Sequence, residues 1–229
     1  MVLYPFKLKS TQQGFSLLET SIVLVIIGLL LGGALKGQEL ITTAQVKNLI
    51  SQQEGIKVAY LGFLDRYRKL PGDYASASVN IQGVAPNANG NNDGRIHAEE
   101  AIMVWDHLSH AGFINGSYVY SPSMVNDTTT PKNSYARYLQ LIYDDVYSDP
   151  VTATVQLNLK TGNQIPVRVL AEVDRKIDDG YPQSGAFRFS TYAGGGIAPT
   201  EADCINTTTT PHSWNIAENA SNCGGASIF

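Results

Sequence analysis

A loop with the ligand spacing of a calcium site lies at residues 89–100, which read NGNNDGRIHAEE. It offers side-chain or carbonyl oxygens at five of the positions such loops use: Asn89, Asn91, Asp93, Arg95 and Glu100. Gly94 takes the sharp turn at the sixth position, and the Glu100 carboxylate at the twelfth can bind through both oxygens. The spacing therefore predicts one Ca²⁺ ion.

The same loop departs from strong calcium sites in two ways. Asn89 stands where an aspartate is usual, and no helix is predicted before the loop. Low ligand charge predicts weak affinity, on the order of 10⁻⁴–10⁻³ M as in extracellular modules. An Asn/Gly turn that binds no ion is the alternative.

Other titratable residues give weaker indications of chemistry. Asp174, Asp178 and Asp179 precede Gly180, so they form either a cation site or a solvated helix end with a glycine cap. The four histidines lack metal-ligand spacing. Nucleophile-elbow, Walker and paired-carboxylate motifs are absent from the sequence, so we predict no enzymatic activity.

The N-terminus contains an apolar segment of membrane length. Residues 15–35 carry one charge, Glu19, and a helix of this length spans roughly 31 Å. Lys7 and Lys9 precede it, which favours a cytoplasmic N-terminus. A carboxylate inside an apolar span is costly, so Glu19 is expected to have a partner and a function.

The elements beyond this segment predict an α+β fold. Leu49, Ile56, Tyr60, Phe63 and Tyr67 recur at near-helical spacing. We therefore predict one helix from Phe15 to about Lys69, roughly 80 Å long, that ends at Pro71-Gly72. Two more helices are predicted at 98–110 and 165–176, and strands at 117–120, 138–143, 151–159 and 186–190. The sheet is expected to be mostly antiparallel, with the outer half of the long helix packed against it.

The sequence QGFSLLE at residues 13–19 resembles the recognition motif of type IV prepilins and type II secretion pseudopilins. The resemblance implies that a prepilin peptidase cuts after Gly14 and that the new N-terminal Phe15 is methylated. It also implies that Glu19 assists filament assembly, for which the amine of a neighbouring subunit is a suitable partner. The segments KLPGDY, DGRI and KIDDGYPQSG resemble the globular part of proteobacterial prepilin-type proteins.

This resemblance divides the chain into four parts. They are a leader at 1–14, a membrane and filament-core helix at 15–36, an amphipathic helical half at 37–70 and a globular domain at 71–229. In an exported domain, Cys204 and Cys223 are expected to form a disulfide.

The resemblance implies a structural subunit, minor rather than major, of a type IV pilus or type II secretion pseudopilus. The expected partners are prepilin peptidase, other pilin or pseudopilin subunits and the bacterial inner membrane, crossed once with the globular domain periplasmic. Two alternatives remain, a filament-displayed adhesin or substrate-binding module and a membrane-anchored enzyme. Lysine and arginine form no cluster beyond the N-terminus, which argues against nucleic acid as a partner.

Overall fold

The structure, a computed structural model, describes Gly14 and residues 16–229. These residues divide into two units, one that ends at Thr43 and one that comprises Ala44–Phe229. Helix α1, Leu17–Tyr67, contributes residues to both units. The predicted long helix is thereby confirmed, and it ends at Tyr67, two residues before the predicted end at about Lys69.

The character of α1 changes along its length. Residues 16–36 are exposed throughout, although nearly all of residues 17–35 are apolar. From Val46 onwards one side is buried, at Val46, Leu49, Gln53, Ile56, Ala59, Tyr60 and Phe63. This is the spacing of an amphipathic helix that covers a core. The helix ends at Tyr67, because Arg68 adopts a left-handed conformation (φ 55°) and Pro71 follows.

Four further helices and six strands lie in the second unit. The helices are α2 (Ala77–Asn80), α3 (Glu100–His110), α4 (Val167–Ile177) and α5 (Glu201–Cys204). The strands are β1 (Gln140–Asp144), β2 (Gln156–Lys160), β3 (Phe187–Phe189), β4 (Ile205–Asn206), β5 (Ser213–Trp214) and β6 (Gly225–Ile228). Strands β4 and β5 form a separate hairpin.

The main sheet has the order β1-β2-β6-β3, and all its pairs are antiparallel. Its two inner strands are β2 and β6. The predicted α+β class and antiparallel sheet are thus confirmed.

Two hydrophobic clusters hold the second unit together, and both use α1. The α3 cluster contains Phe63 and Trp105, packed against α3, β1 and β2. The α4 cluster contains Leu49 and Trp214, packed against α4, β3 and the two cysteines. Burying such large apolar side chains contributes about 1.5–3 kcal/mol each, so α1 supports both clusters.

Two predicted strands are corrected by the structure. Residues 117–120 form no strand, because the backbone N–H of Tyr120 donates to the Asp106 carboxylate and that of Val119 to the Thr128 carbonyl. The strand predicted at 151–159 begins only at Gln156. Its partner β1 ends at Asp144, which pairs with Gln156, so the residues before Gln156 have no neighbouring strand.

Candidate functional site

The N-terminal motif lies where α1 begins. Ser16 precedes the helix, and its backbone N–H and hydroxyl both donate to Glu19 Oε2, at 3.1 and 3.2 Å. In return the Glu19 N–H donates to Ser16 Oγ at 3.2 Å. This reciprocal arrangement is a capping box, which satisfies backbone N–H groups that the first helical turn leaves unpaired.

Glu19 therefore has a local role that the sequence interpretation missed. The S-x-x-E spacing of Ser16 and Glu19 before an apolar run is the signal that identifies such a cap. Gly14 lies three residues before α1. Phe15 and the leader lysines lie outside the described residues.

The loop predicted to bind calcium brings together only part of its predicted ligands. Carboxylate oxygens of Asp93 and Glu100 and a ring nitrogen of His97 lie within 4.8 Å of one another. His97 was not in the predicted set. It joins because it lies four residues after Asp93, close enough for its Nε2 to contact Asp93 Oδ2 at 2.7 Å.

Asn89, predicted as the first ligand, has its side chain engaged elsewhere. Its Oδ1 accepts the Ser78 N–H at 2.9 Å, and its Nδ2 donates to Ser78 Oγ and the Pro86 carbonyl. Asn91 remains in the loop, where its Oδ1 accepts the Asp93 N–H at 2.9 Å. The carboxylate oxygens that converge are therefore those of Asp93 and Glu100, at the fifth and twelfth positions of the loop.

Glu100 organises this loop from the start of α3. Its Oε1 accepts the Asn91 N–H at 2.8 Å and its Oε2 the His97 N–H at 2.9 Å. The Asp93 N–H donates to Asp73 Oδ1 at 3.0 Å, and the Gly94 N–H donates to Asp73 Oδ2 at 2.9 Å. Two buried carboxylates thus fix the backbone of the loop.

The exposed side chains of this loop influence each other's charge. The hydrogen bond to His97 is the main cause that lowers the pKa of Asp93, and the same bond raises the pKa of His97. Asp93 is therefore held in its charged form, which is the form a cation requires.

The second acidic group, Asp174, Asp178 and Asp179, holds the turn between α4 and β3. Buried Asp174 accepts from Trp214 Nε1 at 2.6 Å and from the Gly180 N–H at 3.1 Å. Asp178 accepts the Phe187 N–H, and Asp179 accepts the Ser184 hydroxyl. Burial raises the pKa of Asp174 to about 7. These bonds favour a structural role for this group over a cation site.

His107 is a buried histidine that links α3 to two loops. Its Nδ1 accepts the Gly72 N–H at 2.9 Å, so the ring proton resides on Nε2, which donates to the Ala88 carbonyl at 2.7 Å. Burial lowers the pKa of His107, which keeps the ring neutral. Both ring nitrogens are used within the fold.

The predicted disulfide is present in the structure. Cys204 and Cys223 are bonded, with their Cα atoms 5.8 Å apart, and both are fully buried in the α4 cluster. The bridge joins α5 to the segment that leads into β6.

Comparison with known families gives one match. Residues 9–35 match the family model described as the prokaryotic N-terminal methylation motif. Among curated proteins, none matches the chain.

The matched segment contains Gly14, Glu19 and a part of α1 that is long and apolar enough to cross a membrane. Together these findings support a protein like the type IV prepilins and pseudopilins, which are structural subunits. The motif implies processing by a prepilin peptidase and assembly with other pilin-type subunits.

Proposed function

We propose that the chain is the precursor of a minor filament subunit, in a type IV pilus or a type II secretion pseudopilus. The observation that carries this proposal is the methylation motif at residues 9–35, joined to an apolar helix that begins three residues after Gly14. In this proposal the chain crosses the bacterial inner membrane once, with the globular domain in the periplasm, before it enters the filament.

Processing would create the group that assembly needs. Cleavage after Gly14 leaves an amine on Phe15, which the peptidase then methylates. Glu19 lies four residues later in an apolar segment, where a carboxylate is stabilised by a nearby cation. The Phe15 amine of a neighbouring subunit supplies that cation, so the pair would set the register between subunits.

An adhesin function has less support. A filament-displayed adhesin would be expected to present exposed aromatic side chains to its target. Among the described residues, the large hydrophobic side chains with high exposure are non-aromatic, apart from Tyr181. An enzymatic function also has less support, because His107 and the Asp174 group are hydrogen-bonded within the fold.

Intact-mass measurement of the protein extracted from membranes tests the proposal. We expect the loss of residues 1–14 and one added methyl group on Phe15. Gly14→Val should block this loss, because the peptidase must bind the backbone closely at the cleavage site. Gly28→Val, which places the same side chain elsewhere in the segment, should be processed normally. A mature protein that still begins at Met1 would refute the proposal.

We further propose that the loop at 89–100 binds one Ca²⁺ ion weakly. The proposal is supported by the convergence of Asp93 and Glu100 within 4.8 Å and by the charged state of Asp93. The Asn91 side chain and the Arg95 carbonyl are the further oxygen donors in this proposal. Asn89 is left out, because its side-chain oxygen accepts the Ser78 N–H. The ion would bind outside the cytoplasm, where a weak site can be filled.

A further inference from the structure

A small cavity separates α1 from the sheet on the side of β3 and β6. Its volume is about 230 Å³. Apolar walls come from three elements, with Ile50 on α1, Phe187 on β3 and Ile228 on β6. A cavity of this size accommodates a group as large as one amino acid, and its walls favour an aliphatic side chain.

Gln53 brings an unsatisfied polar group to this cavity. Its side chain is 4% exposed, and its Oε1 accepts the Ser227 hydroxyl at 3.0 Å. Its Nε2 is buried and has no hydrogen-bond partner among the described residues. A buried amide N–H without an acceptor is costly, so this position favours a ligand that brings an oxygen acceptor.

Charged residues of both signs line the cavity. Lys57 and Glu54 lie on α1, and neither forms an ion pair among the described residues. The Lys57 ammonium lies 4.9 Å from the centre of the Phe229 ring. Asp178 adds a second carboxylate, whose Oδ2 accepts the Phe187 N–H.

We propose that this cavity binds a free α-amino acid with an aliphatic side chain. The ligand carboxylate would face Lys57 and, once the Gln53 amide turns toward the cavity, accept from Gln53 Nε2. Its ammonium would face the carboxylates of Glu54 and Asp178, and its side chain would fill the space between Ile50, Phe187 and Ile228. A zwitterion is favoured over a simple acid or amine because it alone satisfies both signs of charge. This inference goes beyond the filament function and does not depend on it.

The test is calorimetric titration of the full chain in lipid nanodiscs with leucine and three analogues. The analogue 4-methylpentanoate lacks the ammonium, isoamylamine lacks the carboxylate and glycine lacks the side chain. Leucine should bind, and each analogue should bind about tenfold or more weakly, since each loses one charged contact or the apolar contact.

Two variants locate the binding. Gln53→Leu should abolish leucine binding while the melting temperature of the ligand-free protein changes little, because the lost bond to Ser227 is offset by removal of the unsatisfied amide N–H. Lys57→Met should weaken binding of leucine. Lys47→Met, a change of the same kind at an exposed position of α1 outside the cavity, should leave it unaltered.

Three results would overturn the proposal. The first is that leucine does not bind to the wild-type chain. The second is that glycine binds as tightly as leucine. The third is that Gln53→Leu keeps the wild-type affinity or strongly lowers the melting temperature, since Gln53 would then serve the fold alone.

Discussion

Single carboxylates have different roles in this chain because their surroundings differ. Asp73 and Glu100 are buried and accept backbone N–H groups. Asp174 is also buried, and it accepts the indole N–H of Trp214. Glu19 is the acid of the apolar segment and caps its first turn. At Glu19 the cap coincides with the proposed role in assembly, so a substitution must separate the cap from the charge.

For Glu19 we predict that Glu19→Gln assembles as poorly as Glu19→Leu. Glutamine at this position still completes a capping box, but it cannot pair with an ammonium. Both variants should remain in the membrane, because each removes a charge from an apolar segment. The measurement is the fraction of subunit recovered in sheared filaments, relative to total membrane protein.

Ser16→Ala provides the matched control for Glu19. It removes the hydroxyl of the cap and keeps the charge, so it should assemble close to normally, with a cost of about 1 kcal/mol in helix stability. If Glu19→Gln assembles normally and Ser16→Ala does not, the glutamate acts through the cap alone.

A second prediction at this scale concerns pH, where His107 and Asp174 act in opposite directions. Because the pKa of His107 is lower in the folded chain than its ordinary value of about 6.5, the unfolded chain is protonated first as pH falls, so acidification lowers stability. Asp174 has a folded pKa of about 7, so its contribution is fully present below its unfolded pKa of 3.8 and is lost as pH rises through about 7. Each proton alters the free energy of unfolding by up to about 1.4 kcal/mol per pH unit.

We therefore expect Asp174→Asn to lose stability faster than the wild type as pH falls below about 6.5, because it lacks the Asp174 effect that opposes that of His107, while the other titrating groups are common to both proteins. Denaturant unfolding at several pH values gives the free energy of unfolding as a function of pH. The two proteins are compared by the slope of this dependence, because the altered bond to Trp214 shifts the absolute stability at every pH. Asp65→Asn, at an exposed position of α1, is the control and should keep the pH slope of the wild type. Parallel pH slopes for wild type and Asp174→Asn would contradict the assignment.

At the scale of elements, the loop at 89–100 is held by its neighbours before any ion arrives. Glu100 accepts two backbone N–H groups, so Glu100→Gln would disturb the loop as well as a cation site. Asp93 is exposed and is the better position to alter.

For the loop we predict that several millimolar Ca²⁺ raises the melting temperature of the wild type and leaves that of Asp93→Asn unaltered. Ca²⁺ that binds only the folded state adds roughly 1.4 kcal/mol of stability at ten times Kd. Asp65→Asn removes an equal charge outside the loop and should respond to Ca²⁺ as the wild type does. Equal melting of the wild type with Ca²⁺ and with chelator would reduce the loop to a turn.

The sequence predicts elements whose patterns are local and misses arrangements that depend on distant residues. The apolar side of α1 follows from the spacing of Leu49, Ile56 and Phe63, and the structure confirms it. Strand β6 has three small residues among its four, Gly225, Ala226 and Ser227, and no alternating apolar pattern, so only its pairing with β2 and β3 identifies it as a strand. Asn89 fits a loop pattern, yet Ser78, eleven residues earlier, binds its side chain.

At the scale of the whole molecule, the second half of α1 joins the two hydrophobic clusters. Each cluster contains one of the two tryptophans, Trp105 with α3 and Trp214 with α4. Because residues of one helix complete both clusters, the unit Ala44–Phe229 is expected to unfold in one transition.

Single-tryptophan variants test this cooperativity. Trp105→Phe leaves only the reporter in the α4 cluster, and Trp214→Phe leaves only the reporter in the α3 cluster. In each variant the fluorescence transition should coincide with the loss of helical circular dichroism. A fluorescence midpoint that precedes the circular dichroism midpoint in either variant would show that the clusters unfold separately.

The inner position of β6 has a consequence for the chain during its synthesis. Strands β2 and β3 both pair with β6, and residues 225–228 emerge from the ribosome after the other five described strands. A chain that stalls before residue 225 therefore presents two unpaired strand edges, which are sites for aggregation or for recognition by chaperones and proteases. Incomplete chains would thus be recognised and degraded before they reach any assembly. Completed chains, in which β6 pairs with both β2 and β3, would not be.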